Sequence, residues 1–208
     1  MNYIQPTGYV QWTIYKIIRE AFMPYRKIDV ISPEISQDDF TTELRFKKYV
    51  LIQGIDEQKT NINIVIMTRD ENGTNRFITF TEDMKFFEKE VVAPNTKTIV
   101  ISPAAPAAHV QTFINKLDHD SMQIFNYDMF KIVLPLGPYV PLHQIINDPD
   151  EEKYIYQTLF KDKKCKIKQI GKYDPQLIWV PGEVGQLVKL TNVSGLTGVS
   201  IEYRIIVE

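Results

Sequence analysis

The sequence predicts an α/β chain in two parts: a mixed sheet with flanking helices, then a small α+β module. Three observations lead there. Apolar residues near the start recur at spacings of three and four. They then give way to runs of β-branched and aromatic residues. Late in the chain Leu134-Pro135-Leu136-Gly137-Pro138-Tyr139-Val140-Pro141 interrupts both patterns, and the boundary is set there, giving parts 1–135 and 136–208.

The first element is a helix, because Trp12, Tyr15, Ile18 and Phe22 lie on one face with Lys16, Arg19 and Glu20 between them. Pro24 is expected to end it or to lie just beyond its end. A second helix is expected from Asp38 or Asp39, as cap, through Phe40, Leu44, Phe46 and Tyr49. Ile62 to Thr68 and Arg76 to Phe80 read as strands, and Asp70-Glu71-Asn72-Gly73 between them signals a hairpin, since Asn-Gly adopts positive φ at low cost. A helix from Glu82 to about Val91 follows, then a strand at Lys97 to Ile101. Next come a Pro/Ala-rich turn, a helix through Val110, Phe113, Ile114 and Leu117, and a strand at Met122 to Asn126. The second part holds a helix near Pro149 to Phe160. Two strands, Gln186 to Leu190 and Ser200 to Val207, are joined by a Ser/Gly/Thr turn, and each alternates well enough to pack one face on a core.

Composition is that of a globular protein, with 44% hydrophobic and 24% charged residues. A formal charge of -2 argues against nucleic-acid binding through a broad basic field, because that affinity grows with the number of phosphates neutralised. One cysteine, Cys165, excludes an intrachain disulfide and a cysteine-only zinc site, and fits a reducing compartment. No signal peptide and no apolar run long enough for a membrane span are read from the sequence.

Motifs for chemistry are sparse. His109, His119 and His143 show no metal-ligand spacing on one helix, and Asp118-His119-Asp120 falls at an expected helix end, where such residues cap or solvate. Neighbouring lysines could acidify Cys165, but no histidine lies close in sequence as its base. Gly182-Glu183-Val184-Gly185 lacks the phosphate-loop lysine, and Ser194 lacks the nucleophile elbow. Metal-dependent nucleases use two carboxylates and a lysine, the second half often written Asp/Glu-x-Lys on a strand. Asp83-Met84-Lys85 and Glu57-Gln58-Lys59 match that half, yet one sits where a helix begins and the other in a polar loop. No metal or cofactor is expected. Lys161, Lys163, Lys164, Lys166, Lys168 and Lys172 form the one basic concentration. They read either as a solvated face or as a contact for nucleic acid or an acidic partner, and Asp148, Asp150, Glu151 and Glu152 upstream favour the former.

The region from Tyr139 to Glu208 carries a resemblance. Val140-Pro141-Leu142-His143, a helix with Glu151-Glu152, then Gln169-Ile170 and Asp174-Pro175 follow in order. Gly182 and Gly185-Gln186-Leu187-Val188-Lys189 come next, then Ser194, Gly198 and Ser200-Ile201-Glu202-Tyr203-Arg204. Each motif is short, but their order and spacing resemble the fifth-largest subunit shared by eukaryotic RNA polymerases I, II and III. They are similar also to the small archaeal polymerase subunit that corresponds to this C-terminal domain alone. Two segments depart from the family: Asn192-Val193-Ser194-Gly195 stands for Arg-Pro-Ser-Glu, and Gln176 to Pro181 carries Trp179. Earlier in the chain only the order of elements is similar to the family's jaw domain, which has a restriction-nuclease-like fold. Ser102-Pro103-Ala104-Ala105-Pro106-Ala107-Ala108 matches its Thr-Pro-Ser-Ala turn, with Pro106-Ala107-Ala108 or Pro103 as the register.

The resemblance implies a non-catalytic polymerase subunit with a jaw domain, 1–135, and an assembly domain, 136–208. The assembly domain would dock on the largest subunit beside other small subunits through Pro141, His143, Asp174, Pro175, Gly182, Gly185, Gln186, Val188, Lys189, Tyr203 and Arg204. Ser102, Pro103, Pro106, Ala107 and Ala108 would lie near downstream duplex DNA, where small residues let the backbone approach phosphates; a plain proline-started helix turn explains them too. The competing expectations are a free-standing metal-dependent nuclease of that fold and an unrelated scaffold. High Ile, Asn and Lys content suggests an AT-rich genome, a protist's or a large DNA virus's. The implied location is the nucleus, or a virion or viral factory.

Overall fold

A computed structural model describes residues 9–68, 76–79, 81–91, 96–114, 116, 122–137, 139–161, 167–180, 182–196 and 198–208. The chain divides into two compact units, Met1–Ile132 and Val133–Glu208. The first is α/β and the second is smaller and β-rich, and each is built on a mixed sheet with flanking helices.

The N-terminal unit opens with α1 (Tyr9–Ile17), a wide π-type turn (Ile18–Phe22) and α2 (Met23–Tyr25). Pro24 therefore lies inside the helical run, which ends one residue after it, at Tyr25, rather than at or before it. A regular turn would drive its ring into the carbonyl four residues back, and the wider turn, in which Met23 N–H donates to Ile18 O, relieves that clash. After β1 (Ile28–Val30), α3 spans Gln37–Lys47. Its cap is Ser36 rather than either aspartate: the Ser36 hydroxyl accepts from Asp39 N–H at 3.1 Å and donates to the Asp39 carboxylate at 2.7 Å. Lys48 ends the helix at φ 65, so Tyr49, expected within α3, instead starts β2 (Tyr49–Asp56).

The hairpin also differs from expectation. β3 (Asn61–Met67) pairs antiparallel with β2, and Arg76–Thr79, expected as its partner strand, is a short helix, α4, with Phe80 outside the described residues. The β2–β3 turn is closed by Asp56, whose side chain accepts from Gln58 and Thr60 N–H groups, while Lys59 takes φ 64. The expected Asn-Gly turn lies outside the described residues. α5 (Thr81–Val91), β4 (Thr96–Ser102), α6 (Ala108–Ile114) and β5 (Met122–Asn126) complete the unit as expected, with Leu117 outside the described residues. Strand order is β1-β2-β3-β4-β5, antiparallel for the first two pairs and parallel for the last two.

Central β3 is buried on both faces. Val65, Met67 and Val100 pack with Ile78, Met84, Phe87, Val110 and Ile114 on one side. The other side meets α2, since a Cβ on Gly54, which pairs with Ile62, would stand 2.7 Å from Met23 Cε.

In the C-terminal unit β6 (Leu142–Ile145), α7 (Pro149–Tyr154, extended by a wide turn over Ile155–Leu159), β7 (Lys168–Gly171), β8 (Leu187–Ser194) and β9 (Gly198–Val207) form a sheet ordered β6-β8-β9-β7. The β8–β9 hairpin and the α7 region match expectation. The short strands β6 and β7 do not announce themselves in the sequence. Asp148 caps α7 through Asp150 N–H, with Pro149 in the first turn.

A candidate docking site on the C-terminal sheet

Register decides which side chains share a face. Leu142 pairs with Thr191, and Thr191 with Ile201, while Lys189 pairs with Tyr203, Leu187 with Ile205 and Val193 with Val199. Alternation puts these residues on one side of the sheet. The two ends of that side differ. Toward β8's start, Leu187 is buried with Ile155, Tyr156 and Ile167, and Tyr203 and Ile205 pack against them, so the α7 segment covers this end. Toward the hairpin tip Leu142, Val193, Val199 and Ile201 are 55, 79, 64 and 51% exposed. Removing each from water is worth on the order of 1 kcal/mol or more. An uncovered apolar row of this kind makes this end the candidate docking surface.

The opposite side carries the second core, with Ile170, Leu177, Val188, Leu190 and Ile206. Beside it lies a groove of about 410 Å³, lined by Leu134, Pro141, Ile170, Asp174, Pro175, Gln176, Leu190 and Arg204. Four of the expected interface residues, Pro141, Asp174, Pro175 and Arg204, thus come together. Asp174 also orders its own loop, its carboxylate accepting from Gln176 N–H at 2.9 Å. Arg204 Nε donates to Glu202 at 3.2 Å and Lys168 approaches the same carboxylate at 3.1 Å. First Lys168 and then Arg204 hold the Glu202 carboxyl below its ordinary range.

The other expected interface residues have folding roles. Val188 is fully buried. His143 is 8% exposed; its Nδ1–H donates to Pro141 O at 2.7 Å, and its buried Nε2 has no hydrogen-bond partner among the described residues. Gly182 sits where a Cβ would stand 2.6 Å from Ile206 Cδ1 and 2.7 Å from Ile145 Cδ1. Gly185 takes φ 95 at the turn into β8, and Gln186 closes that turn by accepting from Glu183 N–H at 2.7 Å. Lys189 and Tyr203 are half-buried on the partly covered face. Trp179, one of the departures from the family pattern, is fully buried.

In the N-terminal unit, Ser102 is fully buried and its hydroxyl accepts from Ala104 N–H at 3.3 Å. Pro103, Pro106 and Ala107 are half-buried, Ala108 is exposed, and Ala107 N–H donates to Ile78 O at 2.9 Å. Of this turn, then, Pro106 to Ala108 is the more outward part and Ser102 is an internal brace. Asp83 lies in the first turn of α5, and Lys85 reaches Glu82 at 3.5 Å. Glu57 pairs with Lys27 at 3.0 Å. Neither carboxylate-lysine triplet is on a strand. Asp118, His119, Asp120 and Cys165 lie outside the described residues, as do Lys163, Lys164 and Lys166. Among the described residues no group of three or more His, Cys, Asp or Glu side chains is placed to hold a metal, and no helix is long and apolar enough to cross a membrane.

Comparison with protein-family models and with curated proteins finds no match for the chain. The uncovered hairpin end is absent from the expected interface. Its signal is present in the sequence, though: the apolar alternation of Val199, Ile201, Tyr203 and Ile205 runs on to the hairpin tip, past the end that α7 covers.

Proposed function

We propose that the chain is a non-catalytic subunit of a DNA-directed RNA polymerase. In this reading the C-terminal unit docks on the largest subunit, and the N-terminal unit lies beside duplex DNA entering the enzyme through the Pro106-Ala107-Ala108 turn. The observation that carries the proposal is the sheet side bearing Leu142, Val193, Val199 and Ile201, apolar and exposed at one end while α7 covers the other. An ordered series of family-like motifs surrounds it, from Val140-Pro141-Leu142-His143 to Tyr203-Arg204. Docking would continue the interior of a larger assembly across that end. The jaw role and the restriction-nuclease-like fold rest on the order of elements alone.

The test is purification of the tagged chain from its own host. A polymerase largest subunit is expected in stoichiometric amount. The double variant Val199→Glu, Ile201→Glu should lose it while the free chain melts as wild type. Recovery of the chain without any polymerase subunit refutes the proposal. Mg²⁺-dependent cleavage of DNA by the purified chain alone would establish the nuclease alternative instead.

A further inference from the structure

Helix geometry sets what the end of α3 presents. Phe40 and Leu44 are buried, Phe40 against the rings of Trp12 and Tyr15. At about 100° per residue, Phe46 stands on the far side of the helix from Leu44, and it is 77% exposed. Arg45 and Lys47, both exposed, project to either side of the ring, and half-buried Lys48 follows in the turn. Lys47 reaches Glu43 at 3.5 Å, an exposed pair that a stronger anion can replace at little cost. Cations at a helix C-terminus compensate its dipole, but that account leaves the exposed ring unexplained. Lys48 O accepts from Thr68 N–H at 2.9 Å, and Met67, paired with Tyr49, lies one residue past the Ile66–Ile101 pair. The tip of α3 therefore stands at the carboxyl ends of parallel strands β3 and β4, the end of such sheets where ligands bind.

We infer that this tip is a contact for single-stranded nucleic acid, with Phe46 stacked on one base and Arg45, Lys47 and Lys48 meeting the phosphates around it. An aromatic ring bordered by cations supplies both contacts by which single strands are held without sequence preference. A duplex offers its phosphates to the cations but keeps its bases stacked, and opening a step for the ring costs free energy. Protein interfaces deplete lysine around their aromatic anchors, and here two of the three cations are lysines. The formal charge of -2 calls for a contact that is local, and Arg45 to Lys48 is local. The inference goes beyond the polymerase reading, in which duplex DNA meets the Pro106-Ala107-Ala108 turn, and does not rest on it.

The test is fluorescence anisotropy with the whole chain and three end-labelled probes: an oligothymidylate of about 15 nucleotides, its oligouridylate counterpart and a duplex of that length. At about 50 mM sodium chloride the single strands should bind with a Kd of about 10–100 μM, and the duplex at least about fivefold more weakly. DNA and RNA strands should bind alike, since neither stacking nor phosphate contact reads the 2′-hydroxyl; a preference would name the natural strand. Phe46→Ala should weaken binding about tenfold, and Phe46→Trp should restore it. Arg45→Gln with Lys47→Gln should flatten the slope of log affinity against log salt by about 1.4, two phosphates at about 0.7 each. These side chains are exposed, so the variants should melt within about 2 °C of wild type. Lys48→Gly relieves a left-handed backbone at φ 65, and should fold at least as well yet bind less tightly. Single strands left unbound at about 0.5 mM protein, or bound by Phe46→Ala as by wild type, overturn the inference. So does tighter binding of the duplex, which makes the tip a backbone contact only. Displacement by polyglutamate as readily as by unlabelled oligothymidylate also overturns it and assigns the tip to an acidic protein. None of these outcomes depends on a polymerase, so the two readings fail separately.

Discussion

Gly54 and Met23 occupy one place in the N-terminal core: a Cβ added to the glycine would stand 2.7 Å from Met23 Cε. The same atom would meet Asp29 O at 2.8 Å and Ile28 Cγ2 at 2.5 Å. Met23 can move, being flexible, but the Asp29 carbonyl belongs to β1 and is held by the ladder to β2. Gly54→Ala therefore forces β1 away from β2. The expected loss is about 1–3 kcal/mol, read by urea denaturation monitored at Trp12 and Trp179. An unchanged midpoint would mean that the close approach of α2 to the sheet is wrong.

Lys48 ends α3 in the left-handed region at φ 65, its N–H donating to Leu44 O at 3.1 Å. A side chain there costs about 1–2 kcal/mol that glycine avoids, part of which returns as the greater freedom of an unfolded glycine. Lys48→Gly should stabilise the chain by about 0.5–1 kcal/mol, raising the Tm by roughly 2 °C. Destabilisation would refute that backbone geometry.

Lys48 also shows why the sequence is readable in some places and not in others. Helices α1 and α5 and strands β4, β5 and β9 follow from apolar periodicity, which records burial directly. The end of α3 does not, because a lysine holds the position where glycine would have marked the stop. With that stop hidden, periodicity alone carries the helix on to Tyr49 and conceals β2. Asn72-Gly73 then offers β3 a nearer partner, although its ladder runs to β2 through Asp56 and Lys59. β6 and β7, at four residues each, are too short to establish a period. At the candidate site, the resemblance names Pro141, Asp174, Pro175 and Arg204 as expected interface residues. That they share one groove is a fact of distance that no local pattern encodes.

Glu202 gives an acid-dependence whose sign is fixed by its surroundings. Lys168 and Arg204 lower its pKa in the folded chain, so the unfolded state binds the proton more readily. The stabilisation is complete above the unfolded glutamate's pKa of about 4.3 and is lost as pH falls through the lower folded value. The pair is largely solvent-exposed, so the effect is small and weakens with salt. Glu202→Gln should flatten the dependence of Tm on pH below about 4.5 and leave its shape above pH 6 unchanged. A variant whose acid limb overlays wild type at low ionic strength would show that the three charges do not interact.

Val193 and Val199 face one another across the β8–β9 ladder, both exposed, and Ile201 continues the row toward Leu142. Exposed apolar side chains contribute little to the folded chain by itself, because they gain little on leaving the unfolded state. Replacing the pair by Val193→Lys and Val199→Glu keeps β structure and sets opposite charges directly across the strands, worth about 0.2–1 kcal/mol. The Tm of the isolated chain should hold within about 2 °C, and self-association at high concentration should fall. Binding to whatever covers this end should weaken at least about tenfold, since two charges would enter an apolar contact. A fold-preserving variant that binds its partner as wild type would place the docking surface elsewhere, leaving the groove beside Arg204 on the opposite side as the contact to test next.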